Sequence, residues 1–190
     1  MREKRILFLG ITMFLLFFIL HPDLSAKANV NLEEEGRSAG TYIYPSFDTP
    51  EWKQYTTAEE RIAACRIPKE ILEEMTEEQL VQAVYDFPFL VNIFVYSALK
   101  DGVRNIERNS DAYAELLKRK GAKDALLQKI TEVFSEQQEE RNAWKKDALA
   151  VLALYQEDIV EKMSAEEIQS VASFSSMVDA GYVEEIIKGK

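Results

Sequence analysis

Apolar residues occupy this chain in two regimes. From Ile6 to Leu20 they run with Thr12 as the one polar residue and no charge, and after about residue 56 they recur at three- and four-residue spacings, the period of one helix face. The first regime, led by a basic start (Arg2, Lys4, Arg5) and followed by Ala26-Lys27-Ala28, has the form of a signal peptide cleaved after Ala28, with cleavage after Ala26 as the alternative. Its apolar run of 15 residues falls short of the roughly 20 that cross a bilayer, and an uncleaved anchor is the second reading. Residues 29–48 read as a lead-in, polar at first and then aromatic, and residues 49–190 as a single helical domain.

Helix starts are written plainly in the second regime. Thr49-Pro50 has the form of an N-cap with proline at the first helical position. Thr57 with Glu60 is a capping box, in which hydroxyl and carboxylate satisfy each other's backbone amide, and it predicts a short helix through Cys65. Pro68 opens the next helix, PKEILEEM. Thr76 with Gln79 makes a second box, and Met75 and Leu80 stand where a hydrophobic staple would clasp it. The decapeptide at 159–168, IVEKMSAEEI, matches ILEEMTEEQL at 71–80: Ser164 caps, Glu167 reciprocates, and Met163 and Ile168 form the staple. Two equivalent helix–helix corners are expected there.

Between the corners, FPFLVNIFVYSAL (87–99) is apolar nearly all round and is expected to be the central buried helix. The segments VRNIERN, DAYAELLKRK (closed by Gly121) and AKDALLQKITEVF come next. The longest amphipathic stretch is about 139–156, with Trp144, Ala148, Val151, Leu152 and Tyr155 on one face. A last stripe, Ile168, Val171, Ala172, Ser175 and Val178, precedes a short turn of helix around Ile186. No segment alternates as a strand does. The predicted fold is all-α, a compact array of about eight mostly short helices around a central apolar helix.

Charge narrows the partners. The 190 residues carry a net charge of −10. Removing residues 1–28 takes away four basic and two acidic side chains and leaves −12. Such a surface repels phosphate backbones and anionic headgroups, so nucleic acid is not expected as a partner, nor a membrane once the signal peptide is gone.

Residue arithmetic narrows the chemistry further. The single histidine, His21, lies in the signal peptide, and Cys65 is the single cysteine. The mature chain then has no Ser-His-Asp or Cys-His pair, no histidine metal ligand and no internal disulfide. No EF-hand loop and no glycine-rich phosphate loop is present, so no metal or other cofactor is expected. Cys65 follows Ile62 on the same helix face, beside alanines and acids, and reads as a packing residue. Paired carboxylates remain the one catalytic raw material, and no pair stands out among the many acids. The aromatic arm holds Tyr42, Tyr44, Phe47, Trp52 and Tyr55. It reads either as a binding strip or as a segment lying across the domain and filling its grooves.

The succession TPEWKQY, AACRIPKEILEEMTEEQL, YDFPFLVNIF, LKDG and ELLKRKGAKDALL resembles a family of exported proteins of Gram-positive bacteria, many from the gut. The shared pattern is a Pro-Glu-Trp start, an Ala-Cys-x-Ile-Pro turn, an Ile-Leu-x-x-Met-(Ser/Thr)-x-Glu-x-Leu corner and a Tyr/Phe-Pro aromatic segment. The resemblance covers about residues 49–128 and lies in packing and capping residues. It implies an exported all-helical module with no assigned activity. The expectation is therefore a secreted, non-catalytic helical domain that binds an unidentified protein or envelope component. A carboxylate-dependent cell-wall glycan hydrolase and a purely structural domain are the alternatives.

Overall fold

A computed structural model describes residues 37–38, 41–135 and 143–190. The expected signal peptide, most of the polar lead-in and residues 139–142 of the long helix lie outside them. The chain divides into two compact units, Met1–Ala39 and Gly40–Lys190. The first contributes a two-residue extended stretch, β1 (Arg37–Ser38). The second begins with another, β2 (Thr41–Tyr42), and is otherwise helical. The all-α expectation holds.

Among the described residues the helices are α1 (Ala58–Ala64), α2 (Lys69–Glu74), α3 (Glu77–Asp86), α4 (Leu99–Asn109), α5 (Asp111–Leu116), α6 (Ala122–Ser135), α7 (Ala143–Tyr155), α8 (Glu157–Val160), α9 (Ala165–Ser173) and α10 (Ala180–Lys188). Two short 3-10 segments, Trp52–Gln54 and Leu90–Phe94, complete them. The array is finer than the eight helices expected, because single turns such as α8 form elements of their own.

The predicted starts are where the sequence put them. Thr57, Thr76 and Ser164 each accept the amide three residues on, and Glu60, Gln79 and Glu167 each bond back to the cap amide. At Ser164 the two bonds measure 3.1 and 2.7 Å. Pro68 is the cap of α2, which begins at Lys69. The staple residues Met75, Leu80, Met163 and Ile168 are all buried in the core.

The centre of the domain is not where it was expected. Residues 87–99 do not form the central helix. The helix α3 stops at Asp86, because Phe87 precedes a proline and takes the extended backbone (φ −59°, ψ 122°) that such a position favours. Beyond that break the chain makes one 3-10 turn whose Leu90 and Ile93 point inward, while Val91, Val95 and Tyr96 are 47, 73 and 39% exposed. The central helix is α7. Seven consecutive residues, Ala148–Leu154, are buried, so the helix is surrounded rather than one-faced. It packs against α4, α6, α8, α9 and the 90–94 turn. Its alanines let those neighbours approach, and two tyrosines close its end. The hydroxyl of Tyr113 donates to the Leu152 carbonyl at 3.2 Å and that of Tyr182 to the Leu154 carbonyl at 2.8 Å. These carbonyls lie in the last turn of the helix, where no amide of the helix itself can reach them.

Against the 90–94 turn lies α4. Their backbones are so close that a methyl group at Gly102 would stand 2.0 Å from the Ile93 carbonyl oxygen. Only glycine fits there.

Candidate functional site

Between β2 and the 3-10 turn Trp52–Gln54 the aromatic arm has no regular structure. Its path is set by local hydrogen bonding. The Thr49 amide and hydroxyl both donate to the Ser46 carbonyl, at 3.2 and 3.0 Å. The Thr49 hydroxyl then accepts the Trp52 amide at 3.2 Å. Thr49 thus bonds ahead to the Trp52 amide, but it is not the helix cap expected: the 3-10 turn Trp52–Gln54 has Glu51 at its cap position, with no side-chain cap bond, and Pro50 lies before it.

Most of the arm's rings fill the domain instead of facing solvent. Tyr44 and Trp52 are buried, Tyr42 and Tyr55 half-buried, and Phe47 alone of the five is exposed, at 53%. Of the five expected strip residues Phe47 is thus the one left exposed; Ile43 of the same arm, which was not among them, is exposed as well. Trp52 is stacked on Phe89 (6.0 Å between centroids) and met edge-on by Phe47 (4.8 Å) and Tyr55 (5.9 Å). Tyr44 bridges Tyr42 (5.0 Å) and Phe87 (5.7 Å) in the same manner. Each such pair adds about 0.5–1.5 kcal/mol beyond the area it buries. The Tyr42 hydroxyl donates to the Arg66 carbonyl at 3.3 Å. The Tyr44 hydroxyl is buried and finds no partner among the described residues.

Along the arm runs a groove of about 390 Å³, with residues 41–47 as one wall and Asp86, Phe87, Pro88, Trp144 and Lys145 as the other. Its polar end is built from the last turn of α3 and the first turn of α7. Asp86 accepts from the Gln82 side chain at 2.6 Å through Oδ2, and its Oδ1 stands 3.9 Å from the Lys145 Nζ. That ammonium also lies 4.5 Å from the centre of the Tyr85 ring. Burial lowers the Lys145 pKa, against the opposing pull of Asp86. A donor and an acceptor thus stand side by side next to aromatic walls, the usual make-up of a small-molecule site. Sequence reasoning missed this pair, since Asp86 and Lys145 carry no shared motif and meet only by folding.

The single cysteine behaves as expected of a packing residue. Cys65 is buried at the end of α1, and burial pushes its thiol up to about 12. Its loop is tied to α5 by Asp111, which binds the Arg66 guanidinium at 2.6 Å and the Ile67 amide at 3.0 Å.

Among the described residues, the carboxylates with displaced titration, Glu60, Glu78, Glu115, Glu157, Glu166 and Glu167, are all displaced downward. For Glu167 the leading cause is Lys123, 2.8 Å away, followed by the Ser164 amide. The corner residues Thr76, Gln79, Ser164 and Glu167 thus hold helices in place and do not converge on the groove. Among the described residues no group of three His, Cys, Asp or Glu side chains could hold a metal ion, and no helix is long and apolar enough to cross a membrane. No protein-family model matches the chain, and no match to it is found among the curated proteins or the solved structures.

Proposed function

We propose that this chain is an exported, non-catalytic helical module that binds a glycan of the cell envelope in the groove between the aromatic arm and the α3–α7 end. The observation that carries the reading is the composition of that groove. Exposed Phe47 offers a ring edge and face to the apolar side of a sugar. Asp86 and Lys145 offer an acceptor and a donor to its hydroxyls, in one cleft of about 390 Å³. The buried rings beneath, Trp52 and Tyr44, support the arm so that Phe47 is presented on a fixed base. Glycan hydrolysis uses a pair of carboxyl groups flanking the scissile bond. Among the described residues lining the groove Asp86 is the one carboxylate, which favours binding over hydrolysis.

The test is co-sedimentation of the protein with isolated cell-wall sacculi, with the supernatant assayed for released sugar. Pelleting without release is expected, and Phe47→Ala or Lys145→Gln should each lower the bound fraction about tenfold. Release of sugar fragments would overturn the non-catalytic half of the proposal. Failure to pellet, or pelleting indifferent to both substitutions, would overturn the glycan half and turn attention to a protein partner.

A further inference from the structure

The segment expected to be the buried centre instead exposes Val91 and the consecutive residues Val95, Tyr96, Ser97 and Ala98. Exposed apolar residues of this size scattered singly need no explanation, but a run of them does. Beside the run is a surface depression of about 520 Å³, lined by Tyr96 and by Asp101, Arg104, Glu107 and Arg108 of α4. Its charged residues are two carboxylates and two guanidiniums, so the depression is neutral on a chain whose net charge is −10. The Arg104–Asp101 pair at 3.3 Å is open to solvent on both sides, and such pairs contribute little and exchange partners readily.

We propose that two copies of this chain associate about a two-fold axis through this face, the exposed Val95–Tyr96 segment of each copy seated against the α4 depression of the other. Three features favour a second copy over a foreign partner. An isologous contact needs both complementary parts side by side on the same surface, because each copy must give what it receives, and the apolar segment and the depression adjoin at Tyr96. Its charges must be self-complementary, and alternating Asp101, Arg104, Glu107 and Arg108 meet that condition when the two helices run antiparallel across the axis. An acidic protein also repels its own copies, and a charge-balanced face such as this one reduces that repulsion. The tight seating of Gly102 on Ile93 keeps the apolar turn and the charged helix in fixed relation. Dimerisation through this face does not depend on the ligand of the groove.

Oxidative cross-linking of the full chain tests the contact. With Asn105→Cys the new thiol lies near the axis, since pairing 101 with 108 and 104 with 107 centres the two-fold there. The native Cys65 is buried and protonated and does not compete. A disulfide dimer is expected for Asn105→Cys and not for Lys162→Cys, a control at an exposed position on another helix. Adding Arg104→Glu and Arg108→Glu should cut the dimer yield at least tenfold. Mixing that chain with one carrying Asn105→Cys, Asp101→Lys and Glu107→Lys should restore it. Equal yields at positions 105 and 162, or a yield indifferent to charge reversal, would overturn the proposal. Sedimentation velocity on the wild-type chain needs no variant. A monomer throughout, up to about 100 μM, where even a micromolar dimer would be filled, overturns it as well.

Discussion

Replacing Gly102 with alanine sets two physical rules against each other. Gly102 lies inside α4, and by helix propensity alone alanine should stabilise an interior position by about 1 kcal/mol. The packing says the reverse. The added methyl would lie 2.0 Å from the Ile93 carbonyl oxygen, 2.8 Å from its carbon and 3.0 Å from its Cα, where ordinary contact begins at 3.4 Å. All three neighbours are backbone, so no side chain can swing aside. The helix and the 90–94 turn must separate by about 1 Å, which forfeits a quarter to half of the dispersion energy of each contact across the seam. Ile93, Val103 and Ile106, each at most 1% exposed, line that seam. Forced overpacking costs roughly 1–3 kcal/mol and more where backbone must move. A loss of about 3–4 kcal/mol less the 1 kcal/mol of propensity leaves a net destabilisation of about 2–3 kcal/mol. For a chain of this size that is a fall in Tm of roughly 5–10 °C. Thermal unfolding followed by circular dichroism reads it directly. Gly181→Ala serves as control. There the nearest atom is a side-chain oxygen of Asp179 at 3.1 Å on an exposed helix, and a change within about 0.5 kcal/mol is expected. A Tm for Gly102→Ala equal to or above that of the native chain would refute the reasoning.

Other substitutions test other parts. Leu152→Ala in the surrounded helix α7 should cost about 2–5 kcal/mol, and Val95→Ala on the exposed turn less than about 0.5 kcal/mol. Urea midpoints that reversed this order would return residues 87–99 to the centre of the domain. Tyr44→Phe removes a buried hydroxyl that has no partner among the described residues, so stability should rise by about 1 kcal/mol; a fall in the urea midpoint would mean that the hydroxyl is satisfied in solution. Ser164→Ala deletes a cap and should cost about 1 kcal/mol by the same measurement. Glu167 has its pKa lowered by Lys123 and the Ser164 amide. Its contribution is therefore present above the ordinary carboxylate value and is lost as pH falls through the lowered one. Glu167→Gln should consequently lose less stability than the native chain between pH 7 and pH 3, and equal losses would remove this group from the acid sensitivity.

What could be read from the sequence was local. A capping box is written in four consecutive residues, so Thr57, Thr76 and Ser164 announce their helices whatever surrounds them, and all three boxes are formed. Burial of a whole segment is a different kind of fact. FPFLVNIFVYSAL is the longer and more aromatic of the two apolar runs, and its length and rings mark it as the candidate for the centre ahead of ALAVLAL. Yet its proline sets a backbone break that hydrophobicity does not register, and its β-branched residues and bulky rings suit a turn on the flank. Spacing presents the alanines of ALAVLAL as part of an amphipathic helix with one buried stripe. Their small volume is what allows neighbours on every side, and that depends on elements remote in the chain.

The same distinction separates the arm from its groove. Five aromatic residues within fifteen positions draw attention to 42–55, but sequence proximity does not tell which rings are walls and which are foundations. Trp52 is held on three sides, by Phe47, Tyr55 and Phe89, so its burial is a consequence of partners both before and after it in the chain. Phe47 is left outside because it meets Trp52 edge-on from the solvent side. The polar half of the groove was beyond reach for a stronger reason. An aspartate ending one helix and a lysine beginning another become a donor–acceptor pair only when α3 and α7 bring their ends together. In a chain with 33 acidic and 23 basic residues such pairs are too numerous to single out beforehand. Chemistry carried by a motif is legible in sequence. Chemistry assembled from ordinary residues at helix ends becomes visible only in the fold.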